Sequence, residues 1–212
     1  MPQITAIKVN KKRPDRRSIF IDGQFAFAVS EGIFFQHNLE EGAELSHKQI
    51  KELTTADEFD KAKQAAMNLL SYRPRSIKEI SNRLVHKGWN QDLADRVTGE
   101  LVDKGYLNDE EFSAIFARDR AKNKCLGPIA LKSELIKTGV TQNIIEQTIE
   151  EFYSKYPADE LIQRLMKKRG IDPDVPVEIK EKQRFINLLK RKGFTWDQME
   201  SVVRNMSVKT AS

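Results

Sequence analysis

Leu84-Val85-His86-Lys87-Gly88-Trp89, Leu135-Ile136-Lys137-Thr138-Gly139-Val140 and Leu189-Lys190-Arg191-Lys192-Gly193-Phe194 set the register of the whole chain. In each stretch a leucine precedes a glycine by four positions and a large apolar residue follows. The stretches recur at intervals of roughly 50 residues, the mark of a helical repeat array. Each reads as a helix that stops at glycine, because glycine reaches the left-handed conformation without a steric penalty and Lys or Arg in the last turn suits the negative end of the helix dipole. Trp89, Val140 or Phe194 then seals the turn. Asn90, Thr141 and Thr195 stand where an N-cap is wanted, and Gln198 completes a capping box with Thr195. A second helix therefore begins in every copy. Its core-facing residues recur at helical spacing: Leu93, Val97 and Leu101, then Ile144, Thr148, Ile149 and Phe152, then Met199, Val203 and Met206.

The chain has 212 residues, of which 39% are hydrophobic and 32% charged. That balance predicts an elongated array of small stacked units rather than one globule. Helices of about 14 residues are roughly 20 Å long, so three units in line reach on the order of 60 Å. The formal charge of +5 permits a polyanionic partner without demanding one. A single cysteine, Cys125, excludes an intrachain disulfide. No amino-terminal apolar stretch has the form of a signal peptide or a membrane span, so a cytoplasmic monomer without membrane contact is expected.

Before the repeats the pattern differs. Residues 4–9, 18–21 and 24–29 read as strands, the last two joined by Asp22-Gly23, a dipeptide suited to a tight hairpin turn. Between strands lies Lys11-Lys12-Arg13-Pro14-Asp15-Arg16-Arg17, a basic connection open to two readings, a solvated turn or a contact element. Short helices follow near residues 30–35 and after Ser46, which forms a capping box with Gln49. The fold predicted is mainly α: tandem three-helix repeats in an elongated array, with a small amino-terminal β-hairpin or sheet. The expected boundaries are 1–56 for the extension, 57–107, 108–156 and 157–206 for the repeats, and 207–212 for a frayed tail. Within the repeats, Ser76 and Glu79 make a capping box, Asn108 opens a helix through Phe112, Ile115 and Phe116, and Gly127-Pro128 starts another. The third unit opens near Pro157, ends its first helix at Gly170, and crosses a loop with Pro173 and Pro176 before resuming over 178–192.

No convergent nucleophile, base and charge stabiliser emerges, so no catalytic residue is assigned and a non-enzymatic protein is expected. His37, His47 and His86 are scattered without ligand spacing, so no metal site is assigned. Glycines lie singly at helix ends rather than in a phosphate-cradling loop, and no cofactor is expected. Cys125 reads as a small buried hydrophobe, with a thiol sensitised by Lys122 and Lys124 as the other possibility.

What recurs is positive charge. Arg73, Arg75, Lys78, Arg83 and Lys87 fall in the first repeat, Arg118, Arg120, Lys122, Lys124 and Lys132 in the second, and Lys167, Lys168, Arg169, Lys190, Arg191 and Lys192 in the third. Singly, such clusters are ordinary solvated surface. Recurrence at matching repeat positions points to a stripe facing a polyanion or an acidic protein. Tyr72, Tyr106 and Trp196 lie at turns, where the expected role is sealing the core rather than stacking on bases.

The run Leu69-Leu70-Ser71-Tyr72-Arg73-Pro74-Arg75-Ser76-Ile77-Lys78-Glu79-Ile80, with Leu84, Lys87-Gly88, Gly105-Tyr106-Leu107-Asn108-Asp109 and Phe112, resembles the RecX family of RecA regulators. Gly127-Pro128, Leu131, Glu134-Leu135 and Gly139-Val140 continue the resemblance, while Cys125-Leu126 departs from the more basic or glycine-rich family pattern. The resemblance implies tandem three-helix repeats that lodge in the groove of the RecA filament on DNA. It also implies inhibition of RecA ATPase, strand exchange and coprotease activity, with DNA contacted directly or through RecA. A sequence-nonspecific DNA-binding architectural protein is the competing reading of the same basic residues.

Overall fold

The computed structural model describes residues 2–172 and 174–209. Among them are three strands and ten helices, which fall into two compact units. One unit takes the chain as far as Tyr72 together with Arg83–Gly99; the other takes Arg73–Asn82 and the chain from Glu100 onward.

In the first unit β1 (Ile4–Val9), β2 (Arg16–Ile21) and β3 (Gln24–Ser30) form an antiparallel sheet in that order. Asp22 and Gly23 both take positive φ, 49° and 79°, which matches the twist of the flanking strands and closes the expected hairpin. Ile4, Ile19, Phe27 and Val29 pack with Ile33, Leu39, Leu45 and Leu53 in one core. The predicted basic connection is shorter than its sequence suggests, because Arg16 and Arg17 belong to β2. Arg16 is buried, its guanidinium donating to Asp57 and to the Ala28 carbonyl at 2.7 Å each.

After α1 (Glu31–Gln36), α2 (His47–Leu70) starts at the Ser46–Gln49 capping box and runs unbroken. The start of the first repeat, expected at residue 57, falls inside this helix, which has no Pro or Gly between its ends. The Asp57 carboxylate is spent on Arg16, on Lys61 at 2.7 Å and on the Ser30 amide at 3.0 Å.

Arg73-Pro74 separates α2 from α3 (Ile77–His86), and α4 (Gln91–Asp103) follows with Leu93, Val97 and Leu101 buried. Asn90 caps α4 by accepting from the Leu93 amide at 2.8 Å.

In the second unit α5 (Asp109–Lys124), α6 (Pro128–Ile136) and α7 (Gln142–Lys155) precede α8 (Ala158–Lys168), α9 (Ile179–Arg191) and α10 (Trp196–Asn205). Leu131, Leu135, Ile162, Leu165, Leu189 and Met199 belong to a single core, so the two helix trios are not separately packed. Gly88, Gly139 and Gly193 end their helices at φ 103°, 79° and 82°, as the repeats require.

Several expectations shift. In α7 Phe152 is buried and Ile144 and Ile149 pack against the core as half-buried residues, as read in the sequence, but the deepest residue is Ile145, which that stripe omitted. Ile115 is exposed although Phe112 beneath it is buried. Thr141 makes no side-chain cap, whereas the Thr195 amide donates to Gln198 at 3.0 Å. Tyr72, Tyr106 and Trp196 do not seal the core: Tyr72 is 85% exposed and the other two more than half. Residues 207–209 are pinned rather than frayed, since Val208 bridges Val177 and the Lys209 amide donates to the Val177 carbonyl at 3.0 Å. Pro173 and the last three residues of the expected tail lie outside the described residues.

Candidate binding surface

The start of α3 is held from three sides within the second unit. Ser76 Oγ accepts from the Glu79 amide at 3.0 Å and donates to the Thr138 carbonyl at 2.5 Å, while the Ile77 amide donates to Asp109 at 2.9 Å. Arg73 forks onto Glu79, with bonds of 2.9 and 3.2 Å. The hydrogen bond to Glu79 raises the Arg73 guanidinium above its ordinary value. Burial works to raise the Glu79 carboxyl, but the hydrogen bond and charge of Arg73 outweigh it and hold the group below the usual range. Arg73, Phe112, Phe116, Arg120, Glu134 and Lys137 are among the residues lining a cavity of 730 Å³ beside this joint.

That joint recurs one repeat later. The Gly127 amide donates to the Lys192 carbonyl at 2.7 Å and the Ile129 amide to the Gly193 carbonyl at 3.1 Å. In both joints the glycine ending one middle helix meets the start of the preceding middle helix: Gly139 lies against Lys78, and Gly193 against Ala130. No Cβ fits at either position without displacement, so the sequence signature that marks the repeat is also its contact.

Many candidate cations are already engaged inside the fold. Glu134 takes Arg120 at 3.1 Å and Lys124 at 3.2 Å, and Arg120 also lies over the Phe116 ring. Lys132 pairs with Glu146 at 3.2 Å, Lys122 sits 4.2 Å above the Tyr156 ring, and Lys192 donates to the Lys124 carbonyl. Lys168 reaches only a weak 4.0 Å contact with the buried Cys125 thiol. Arg83 and Lys87 are exposed and belong to the first unit. Among the described residues Arg118, Lys167, Arg169, Lys190 and Arg191 form no ion pair.

Arg169, Lys190 and Arg191 line one cavity of 1120 Å³ in the third helix trio, together with Lys180 and Arg184. The sequence reading missed these last two. Their signal was present: positions 180, 184, 187 and 191 fall at i, i+4, i+7 and i+11, one face of α9. Lys182, between them, points elsewhere and donates to the Met206 carbonyl at 2.8 Å. The described residues contain no group of three or more His, Cys, Asp or Glu able to hold a metal ion, and no helix long and apolar enough to cross a membrane.

Helix trios joined through glycine contacts, following an antiparallel sheet in the sequence, define a tandem helical-repeat protein. Three family models match the chain: the regulatory protein RecX N-terminal domain over residues 2–46, the RecX first three-helix domain over 62–101 and the second over 108–149. Regulatory protein RecX of Bacillus velezensis is 34% identical over 206 residues, covering 96% of this chain and 77% of its own length. That of Bacillus subtilis is 33% identical over 207 residues, covering 96% and 76%. A crystal structure of regulatory protein RecX matches with a TM-score of 0.74 at 26% identity over 95% of this chain and 98% of its own. RecX from Lactobacillus salivarius, at 24% identity, shares the fold with a TM-score of 0.60 over 71% of this chain and 97% of its own. The chain belongs to the RecX family.

Proposed function

We propose that this protein is a non-enzymatic regulator of homologous recombination and the SOS response. It binds RecA filaments on DNA in their helical groove and inhibits RecA ATPase, strand exchange and coprotease activity, working as a cytoplasmic monomer. The observation that carries this reading is the pair of matched RecX three-helix domains in a chain whose helix trios meet through glycine joints. Its modules are the extension at 1–56 and the repeats at 57–107, 108–156 and 157–206. The candidate cations supply the contact with acidic groups of the filament or with DNA, and those without an internal partner contribute most. Inhibition needs no active site, because a ligand that binds one arrangement of protomers better than another shifts the population toward it.

The test is DNA-stimulated ATP hydrolysis by preassembled RecA filaments titrated with this protein. The rate falls at or below stoichiometric amounts; an unchanged rate with folded protein across a wide range rejects the proposal. The competing architectural reading is favoured by the cations unpaired along α9, and it demands DNA binding without RecA that weakens steeply with salt.

A further inference from the structure

Arg73 is paired with Glu79, Arg120 and Lys124 with Glu134, and Lys132 with Glu146. Among the described residues the cations lining the 1120 Å³ cavity of the third trio form no ion pair. Five cations line that cavity against two carboxylates, Glu178 and Glu181, and Glu178 is paired with Lys209 at 3.4 Å. Lys180, Arg184 and Arg191 lie on one face of α9 with Asn187 between them, along about 16 Å of helix. Gln183 donates to Asn187 Oδ1 at 3.3 Å, which leaves the Asn187 amide nitrogen to donate outward.

We propose that this cavity is a track for the phosphate backbone of a nucleic-acid strand, and that direct DNA contact is concentrated in the third helix trio. This assignment rests on the regulatory reading above and narrows it. Donors repeated on successive helical turns suit a ligand whose anionic groups recur regularly. An acidic protein is the poorer fit, because protein interfaces centre on large apolar anchors with charge depleted at their core. Here the apolar lining residues Ile171, Phe185 and Leu188 are all buried and offer no such anchor. No Trp or Tyr lines the cavity and its Phe185 is buried, so the track holds backbone without reading bases.

The experiment is fluorescence anisotropy of labelled oligothymidylate with the full chain, without RecA, over a salt series. The wild type binds, and Lys180→Glu with Arg184→Glu weakens binding about tenfold and lowers the salt slope by about 1.4, the value for two phosphate contacts on a single strand. Lys11→Glu with Lys12→Glu, the same charge change in the β1–β2 turn, leaves affinity within about twofold. Should the reversal not fold, Lys180→Gln with Arg184→Gln gives the same test. Absence of wild-type binding at about 50 mM salt, or equal losses in the two charge reversals, overturns the proposal. So does a groove variant that keeps its oligonucleotide affinity but loses the RecA filament, since the partner is then an acidic protein surface. RecA hydrolysis is measured in parallel: inhibition without groove-dependent oligonucleotide binding rejects this assignment alone, and groove binding without inhibition rejects the regulatory reading alone.

Discussion

A Cβ at Gly193 would stand 2.2 Å from the Ala130 amide nitrogen, one at Gly139 would meet the Lys78 side chain at 2.6 Å, and one at Gly88 would meet nothing within 4 Å. The sequence ranks Gly139 as more sensitive than Gly193, because Gly139 sits in the middle repeat and Gly193 near the end of the array. The structure reverses that order: a flexible lysine can yield, whereas the Ala130 backbone cannot. All three pay the left-handed penalty of roughly 1 kcal/mol. Gly88→Ala should lose about that much in urea denaturation, Gly139→Ala somewhat more and Gly193→Ala about 3 kcal/mol. Arg73 is likewise structural as well as exposed. Reversing Arg73, Arg75 and Lys78 to Glu, expected from sequence to leave the melting temperature almost unchanged, should lower it, because Arg73→Glu sets a carboxylate against Glu79. Two carboxyls at this joint titrate with opposite sign. Glu79 lies below its unfolded value of about 4.3, so its stabilisation is present above that pH and disappears as pH falls through the folded value. Glu79→Gln should flatten this acid limb. Asp109 is raised by burial against the lowering effect of the Ile77 amide, so its contribution is greatest below about 3.9 and declines as pH rises through the folded value. Asp109→Asn keeps the acceptor and should match the wild type near pH 4 but exceed it at pH 7, as denaturation curves at the two pH values will decide.

Among the elements, α2 has almost no amphipathic pattern along its length, yet it is anchored by a charge. Asp57 is 2% exposed and Arg16 6%, and together with Lys61 and the Ser30 amide they fasten the sheet to α2. Removing one partner of a buried pair leaves the other charge unpaired in a poorly solvating interior. Asp57→Ala should therefore destabilise the chain by about 3 kcal/mol, while Arg16→Met combined with Asp57→Leu should recover part of that loss. Urea denaturation followed by circular dichroism checks both. The α6 start behaves differently, since its Gly127 amide is satisfied by the Lys192 carbonyl and Pro128 has none to satisfy. A helix end that needs no side-chain cap is one onto which another helix end can close.

At the scale of the molecule, the core shared by the second and third helix trios sets how the chain can be divided. Leu131, Leu135, Leu161, Ile162, Leu189 and Phe194 belong to it, so a chain ending at Tyr156 would lose the part of that core supplied by Leu161, Ile162, Leu189 and Phe194. That truncated chain should bind a hydrophobic dye strongly and lose its cooperative thermal transition, whereas a repeat that folded alone would keep both properties of the full chain. The period of the array, its glycine stops, the Ser46 and Asn108 caps, the Asp22-Gly23 turn and the mainly helical class were legible in the sequence, because each depends on residues within a few positions of one another. Tertiary structure alone decided which cations are spoken for. Glu134 faces Arg120 across 14 positions and Asp57 faces Arg16 across 41, separations that no local pattern encodes. It also turned Tyr72, Tyr106 and Trp196 outward and tied Val208 to Val177, since exposure and pairing depend on which segments meet. The sequence by itself determined the repeat and its positive charge; only the packing of distant segments decided where that charge stays free to meet a partner.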